Sequence, residues 1–262
     1  MVPGEGARVT VTAQVTTAHL PLPVLPVRMR NIAQATADET TTSASAATIL
    51  QDCNVRLNDD PTVYATVQAA IDASTQPTDT VRVAGACAQV HPRAGLTQVA
   101  LISKTVTLQG GWNRTFTHRD VLSYPTTLDA FGQGRVLYIT GTVAPLIQGL
   151  HITGGDAEGL GGSMYGDVGG GILVREASII LRDSRISGNR AQIGGGICLE
   201  GGGSTLSNNV VEENTADRFG ILTTPGGGGV SNWGGTVTLT ENVIVDNFSQ
   251  YGGGGIQLEG GG

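Results

Sequence analysis

Four glycine-rich segments set the pattern of this chain: Gly169-Gly-Gly-Ile172, Gly194-Gly-Gly-Ile197, Gly227-Gly-Gly-Val230 and Gly253-Gly-Gly-Ile256. The first three are followed, at one fixed spacing, by an asparagine: Asn189, Asn214 and Asn247. Two apolar columns recur in the same register between glycine and asparagine, namely Leu181, Leu206 and Leu239, and then Ile186, Val211 and Ile244. This shared spacing identifies an internal repeat in the C-terminal part of the chain.

The composition indicates a chain made mostly of turns and short strands. Of its 262 residues 40 are glycine, while charged residues make up 14% and aromatic residues 4%. Glycine at that frequency without a triplet period, together with abundant Thr, Val and Ile, leaves helix as a minor component. The net charge of −7 and the lack of basic clusters argue against nucleic acid as a partner. No apolar segment is long enough to span a membrane.

The N-terminal region differs from the repeat. Residues 1–50 are predicted to form an extended arm or linker, because a proline-rich stretch at 21–26 precedes a segment rich in Ala, Thr and Ser at 33–48. A disordered leader is an equally open interpretation of the same composition.

The rest of the chain is predicted to form one repeat domain. Residues 51–98 would form an N-terminal cap and the first coil, and residues 99–262 the remaining coils, the last of them incomplete. The cap contains a helix predicted over 61–75. Four apolar residues share one face of that helix: Val63, Val67, Ala70 and Ile71.

The cap region resembles a known fold. The segment Thr66-Val-Gln-Ala-Ala-Ile-Asp-Ala73, followed by Asp79-Thr-Val-Arg-Val83, is similar to the opening of right-handed parallel β-helix proteins of the pectin-lyase-like superfamily. In that superfamily the short helix covers the first coil. The resemblance extends over roughly 53–262, and it implies an all-β fold: a right-handed parallel β-helix, or solenoid, with a short N-terminal capping helix. It also implies an extracellular or cell-surface protein.

The repeat itself resembles that of bacterial polymorphic outer-membrane proteins, which pairs a Gly-Gly-Ala-Ile motif with a Phe-x-x-Asn motif. Here the second motif reads Ile186-Ser-Gly-Asn189 and Val211-Glu-Glu-Asn214. Because Ile or Val replaces the Phe, the similarity concerns the structural logic of the repeat more than that particular family.

Stacked coils explain the repeated residues. Parallel coils lie about 4.8 Å apart, so each residue type lies above itself, and about seven or eight coils are expected. Gly169, Gly194, Gly227 and Gly253 are predicted to occupy turns that need a positive φ. The asparagine column is predicted to hydrogen-bond along the stack.

The three cysteines have different expected roles. Cys53 and Cys87 bracket the cap helix and the first strand, so a disulfide between them would fasten the N-terminal coil and would fit an oxidising compartment. Two unrelated buried thiols are the alternative. Cys198 follows an inward Ile197, and strand alternation therefore predicts that its side chain points outward.

Irregular coil lengths indicate a candidate ligand-binding edge. Insertions at Asp156–Val168 and Thr215–Gly226 leave the stack from the same column and flank a short connection. Loops on a rigid scaffold often carry binding residues, although insertions of this kind also occur as neutral surface loops. The groove between them would be lined by Asp156, Glu158, Tyr165, Asp167, Asp217, Arg218 and Phe219.

Enzymes on this fold are mostly polysaccharide lyases and hydrolases, and hydrolases need paired carboxylates. Glu213 and Asp246 would stack about 5 Å apart, but each lies beside a turn asparagine, where acidic residues are ordinary turn formers. The four histidines are scattered, and no Cys-x-x-Cys pair exists. The sequence therefore predicts no catalytic residue, no metal and no cofactor.

The sequence favours a secreted or cell-surface scaffold, similar to an adhesin, that acts in attachment or structural assembly. A polysaccharide lyase or glycoside hydrolase is the alternative. Carbohydrate or a cell-surface protein is the expected partner, and self-association through the coil ends or the N-terminal arm is a further expectation.

Overall fold

The computed structural model describes residues 27–37, 40–50, 52–217 and 226–259. The chain divides into two compact units, Met1–Gln51 and Asp52–Gly262. In the first unit, β1 (Val27–Ala37) pairs antiparallel with β2 (Thr40–Leu50). The linker predicted at 33–48 therefore forms strands, in keeping with the β propensity of its threonines. Residues 1–26 of the predicted arm lie outside the described residues.

The second unit is built from three sheets of short strands. The first sheet contains β6 (His91–Arg93), β7 (Leu96–Ile102), β10 (Arg135–Thr140), β15 (Ile172–Arg175), β19 (Ile197–Glu200), β23 (Val230–Trp233) and β27 (Ile256–Glu259). The second contains β3 (Asn54–Leu57), β4 (Thr80–Ala84), β8 (Thr107–Gln109), β11 (Leu146–Gln148), β16 (Ile180–Arg182), β20 (Gly203–Ser207) and β24 (Thr236–Thr240).

The third sheet contains β5 (Ala86–Cys87), β9 (Thr127–Asp129), β12 (His151–Thr153), β17 (Arg185–Ser187), β21 (Val210–Glu212) and β25 (Val243–Val245). Strand pairing along each of these three sheets is parallel, except at the N-terminal end. There β3 pairs antiparallel with β4, and β6 pairs antiparallel with β7. Two small sheets complete the unit, one of β13 (Gly162–Ser163) and β14 (Gly166–Asp167), the other of β18 (Arg190–Ala191), β22 (Thr215–Ala216) and β26 (Phe248–Ser249).

The chain passes from the second sheet to the third and then to the first in every coil, which is the path of a parallel β-helix. The described residues contain six such coils, β4–β5–β7 to β24–β25–β27. The prediction of seven or eight coils was too high, because two long excursions leave the stack, at 111–125 and 156–168. With short turns in their place, the same number of residues would have formed further strands.

The core follows the two predicted columns. Leu181 pairs in register with Leu206, and Leu206 with Leu239. The second column, Ile186, Val211 and Ile244, aligns in the same way. Both columns belong to one continuous apolar core that runs from Val55 to Val230.

The cap helix is shorter than predicted. This helix, α1, spans Val67–Ala73, and Thr66 precedes it as N-cap, its side chain accepting a hydrogen bond from the Ala69 N–H. Val67, Ala70 and Ile71 are buried as expected. Val63 is 53% exposed, because it lies before the cap and outside the helix.

A buried hydrogen-bonded ladder of asparagines runs along one corner of the stack. The Asn189 amide Nδ2 donates to Asn214 Oδ1 at 2.9 Å, and Asn214 Nδ2 donates to Asn247 Oδ1 at 3.0 Å. A second ladder at the next corner joins Asn209 Nδ2 to Asn242 Oδ1 at 2.9 Å. This second ladder was not among the features predicted from the sequence.

The glycine column is required mainly for space. Gly169 and Gly194 have φ of +63° and +61°, as predicted, whereas Gly227 and Gly253 do not have positive φ. A Cβ added to Gly227 would lie only 1.9 Å from the Val230 carbonyl oxygen. At Gly227 the close approach of two backbone segments therefore excludes a side chain, although the φ angle would allow one.

Cys53 and Cys87 form a disulfide, with their Cα atoms 4.6 Å apart. Cys198 points away from the main core, as strand alternation predicts, and its side chain is fully buried. A second apolar cluster that includes Val168 and Leu173 covers it. In the described part of the chain, no helix is long and apolar enough to cross a membrane.

Candidate functional site

The predicted ligand edge is a cluster of ion pairs around one arginine. Arg190 lies on β18 and forms a parallel bridge with Asp156. Its guanidinium lies 3.1 Å from Glu158, 3.3 Å from Asp217 and 3.8 Å from Asp156. Three of the predicted carboxylates, Asp156, Glu158 and Asp217, thus surround one cation that comes from the short connection.

The other predicted residues hold the 156–168 insertion in shape. Asp167 accepts hydrogen bonds from the Gly159 N–H at 2.8 Å and the Gly161 N–H at 2.6 Å. The Tyr165 ring packs on Trp233 with 4.4 Å between centroids. Arg218 and Phe219 lie outside the described residues.

A buried arginine on the first sheet anchors this insertion from below. Arg135 is fully buried, and its Nε donates to the Val168 carbonyl at 2.8 Å while Nη2 donates to the Gly161 carbonyl. Burial lowers the pKa of its guanidinium to about 10. Nη1 has no hydrogen-bond partner among the described residues. The insertion therefore covers the outer face of the first sheet and leaves little of it accessible.

The carboxylates considered as a catalytic pair occupy strained turn positions. Glu213 and Asp246 have φ of 54° and 52°, and Asp183, Asn208 and Glu241 in the other turn column have φ between 52° and 55°. Left-handed backbone of this kind favours Asn, Asp and Gly. The turn accounts for the residue types of Asp183, Asn208 and Asp246, which supports the structural interpretation of Asp246 over the catalytic one.

A concave site lies at another corner, where the excursion 111–125 overhangs the turn between the second and third sheets. We call it the corner cleft, and its volume is about 660 Å³. The excursion contributes Arg119, Asp120, Val121, Leu122 and Pro125, and the coils contribute Gly149, Leu150, His151, Asp183, Ser184, Arg185, Asn208 and Val210, with Thr126 at the junction. The length of this excursion and its aromatic residues, Trp112, Phe116 and Tyr124, mark it in the sequence as an insertion between coils.

Stacked cations brace the excursion against the cap. The Arg82 guanidinium lies 4.6 Å from the centroid of Trp112, and that of Arg56 lies 4.9 Å from Phe116. The Trp112 Nε1–H donates to Gln109 Oε1 at 3.0 Å. These contacts hold the overhang in one position above the coils.

One histidine on the floor of the corner cleft is held neutral. His151 Nε2 lies 2.8 Å from Ser187 Oγ, and partial burial, with the nearby Arg185 cation, lowers the pKa of His151 to about 4. Arg185 in turn pairs with Glu212 at 2.5 Å. At neutral pH the imidazole therefore carries no charge.

Across the described ranges, no three His, Cys, Asp or Glu side chains come together as a metal site would require. The polar groups that line the corner cleft are arginine, carboxylate, imidazole, amide and hydroxyl groups, which suit recognition of a polar organic ligand.

Comparison with known proteins agrees with the geometry. The family described as "Right handed beta helix region" matches residues 132–262, half of the chain. The chain therefore belongs to the right-handed β-helix family, whose architecture its stacked parallel sheets reproduce. No curated protein and no solved structure gives a significant match. The similarity of the repeat to polymorphic outer-membrane proteins stays a prediction.

Proposed function

We propose that this protein is a secreted or cell-surface β-helix scaffold that acts without catalysis, in attachment or structural assembly. One observation carries the proposal: the acidic side chains at the predicted edge are engaged in maintaining the structure. Asp156, Glu158 and Asp217 surround Arg190, and Asp167 binds backbone N–H groups of its own loop. Carboxylates that stabilise loops in this way are poorly placed to act as acid or base.

Two features support an extracellular location. The Cys53–Cys87 disulfide fastens the cap, and such bonds persist mainly in oxidising compartments. Proteins of the right-handed β-helix family are often extracellular. The long hydrogen-bonded ladders and continuous core suit a rigid rod that presents side loops to a partner.

The location is tested by counting thiols in the cells that make the protein. Cells are lysed in denaturant with a maleimide, and the mass of the labelled chain is measured. An extracellular protein should carry one label, on Cys198, whereas a chain kept in a reducing cytosol should carry three. Three labels would contradict the proposed location.

The absence of catalysis is tested on acidic and neutral polysaccharides. We expect no release of new chain ends by the full chain, and retention of the labelled protein on cell-envelope preparations. Turnover that disappears in Glu213→Gln or Asp246→Asn would favour the lyase or hydrolase alternative. Assembly is checked by light scattering over a range of concentrations, where growth in mass would support a role in self-association.

A further inference from the structure

We propose that the corner cleft is a binding site for an uncharged sugar residue of a glycan. This inference deepens the proposed function, on which it rests, by naming a site and a ligand class for attachment. The site lies on the corner between the second and third sheets, away from the Arg190 cluster and the covered face of the first sheet.

The size and construction of the corner cleft suit a small ligand. A volume of about 660 Å³ falls within the range of small-molecule sites. Its floor comes from three successive coils, represented by Leu150, Ser184 and Asn208, and these coils are fixed by parallel pairing at regular spacing. The overhang is braced by the Arg82–Trp112 stack, so the site is largely formed before a ligand arrives.

The charges of the cleft balance. Arg119 and Arg185 are opposed by Asp120 and Asp183, and His151 is neutral near pH 7. An anionic ligand would approach a site that already holds two carboxylates, and a cation would meet two guanidinium groups. A neutral molecule avoids both penalties.

The hydrogen-bonding groups call for a ligand that both donates and accepts. Asp183 accepts a bond from Asn208 Nδ2 at 2.7 Å, and its carboxylate has further acceptor sites. Arg119 uses Nε on the Gly110 carbonyl, which directs a fixed guanidinium along the overhang. Sugar hydroxyls donate and accept at once, so neighbouring hydroxyls of one ring can satisfy a carboxylate and a guanidinium together.

An apolar wall completes the match. Val121, Leu122 and Pro125 lie on the overhang and line the corner cleft. Leu122 is 89% exposed, so it contributes little to the folded core and remains available to a ligand. The C–H face of a pyranose ring would pack on such a surface while its hydroxyls face the polar floor.

The test measures binding of soluble oligosaccharides to the full chain by calorimetry and ligand-observed NMR. The neutral probes are gluco-, galacto-, manno- and N-acetylglucosamine oligomers, and a matched set of uronic-acid oligomers serves as the anionic arm. We expect saturable binding of at least one neutral oligomer. Binding of the uronic-acid set alone, or of neither set, would overturn the proposal.

Two variants locate the binding. Leu122→Ser changes an exposed side chain and should weaken neutral binding about fivefold or more with unchanged stability. Asp183→Asn should weaken it about tenfold, since it removes the charged acceptor but keeps a residue that tolerates positive φ. Asp246→Asn is the matched control, because it makes the same change at the same backbone conformation outside the cleft, and it should have no effect.

The outcomes separate this inference from the proposed function. If the protein adheres to cell-envelope preparations equally well with and without the cleft substitutions, the scaffold function stands and the cleft assignment is wrong. If the envelope glycan is cleaved, the scaffold function itself is wrong, whichever variant binds.

Discussion

At the scale of single residues, buried asparagine amides form the hydrogen bonds between successive coils at two corners of the later part of the stack. Asn214 donates to the Ile186 carbonyl at 2.8 Å and accepts from both the backbone and side-chain nitrogens of Asn189. It is fully buried. Removing its side chain would leave several buried groups without partners, which is more costly than losing the bonds alone.

We therefore expect Asn214→Ala to lower the free energy of unfolding by about 2–4 kcal/mol. Asn208→Gly is the control, since it loses one exposed hydrogen bond to Asp183 at a position of positive φ, and it should cost under about 1 kcal/mol. Urea unfolding followed by circular dichroism measures both. Equal costs would show that the ladder does not stabilise the stack.

His151 predicts how stability depends on pH. Its folded-state pKa of about 4 lies below the ordinary value of 6.5, so the folded protein binds fewer protons than the unfolded chain between these values. The stability that the neutral His151 contributes to the folded state is therefore complete above about pH 6.5, and it is lost as the pH falls toward 4. The loss should be at most roughly 3 kcal/mol.

The check compares unfolding free energies at pH 7 and pH 4.5. His151→Gln should flatten the change relative to the unaltered protein, because glutamine can still bond to Ser187 but does not titrate. His118→Gln, which alters an exposed histidine, is the matched control. An unchanged slope in His151→Gln would contradict the assignment.

At the scale of elements, the cap depends on a covalent bond as well as on packing. The disulfide closes a loop that contains α1 and β4 and joins β5 to the chain just before β3. The helix has only seven residues, fewer than an isolated helix needs, so its stability comes from contact with the first coil.

Replacing both Cys53 and Cys87 by Ser should lower the free energy of unfolding by about 4 kcal/mol through the entropy of the opened loop. Thermal unfolding with and without reductant measures the effect. Reductant should lower the midpoint of the unaltered protein and leave that of the double variant unchanged. A reductant effect that persists in the double variant would exclude this bond as the cause.

The elements also show which features a sequence can predict. The columns at Leu181 and Ile186 were predictable because each coil repeats the same environment at the same spacing. The start of α1 was not, since Val63 fits the helical period while Thr66 caps the helix later. The roles of the predicted edge residues depend on Arg190, whose partners lie in different coils.

The corner cleft escaped the sequence analysis for a similar reason. It depends on how the 111–125 excursion folds back over coils that come later in the chain, and no repeat fixes that path. Cys198 illustrates the same limit: alternation gave its direction correctly, but only the fold shows that the 156–168 insertion covers it. Local periodicity predicts the stacked coils, whereas non-local contacts determine how the 111–125 and 156–168 insertions pack against them.

At the scale of the whole molecule, the repeat makes the coil the unit of stability. Each coil of the stack contacts mainly its neighbours, so one coil should be removable without changing the others. Residues 190–214 form one such unit, and their removal would join Asn189 to Thr215. Leu181 would then lie against Leu239, and Ile186 against Ile244, which keeps both apolar columns in register.

We expect the chain without residues 190–214 to fold, with unchanged strand signal per residue and a smaller urea m-value, since less surface is buried. The control deletes an equal length, residues 205–229, which joins Ser204 of the second sheet to Val230 of the first. That chain should aggregate or unfold at much lower urea. Similar behaviour of the two deletions would contradict the coil as a structural unit.

The corner beside the asparagine ladder has a consequence for protein engineering. Natural insertions already leave this corner after Gly155 and Asn214, while the ladder and the core columns keep their register. The short connection after β26, at Gln250 and Tyr251, occupies the corresponding place in the last described coil. Foreign peptides grafted there would be displayed in a row with the natural loops, at intervals set by the coil spacing.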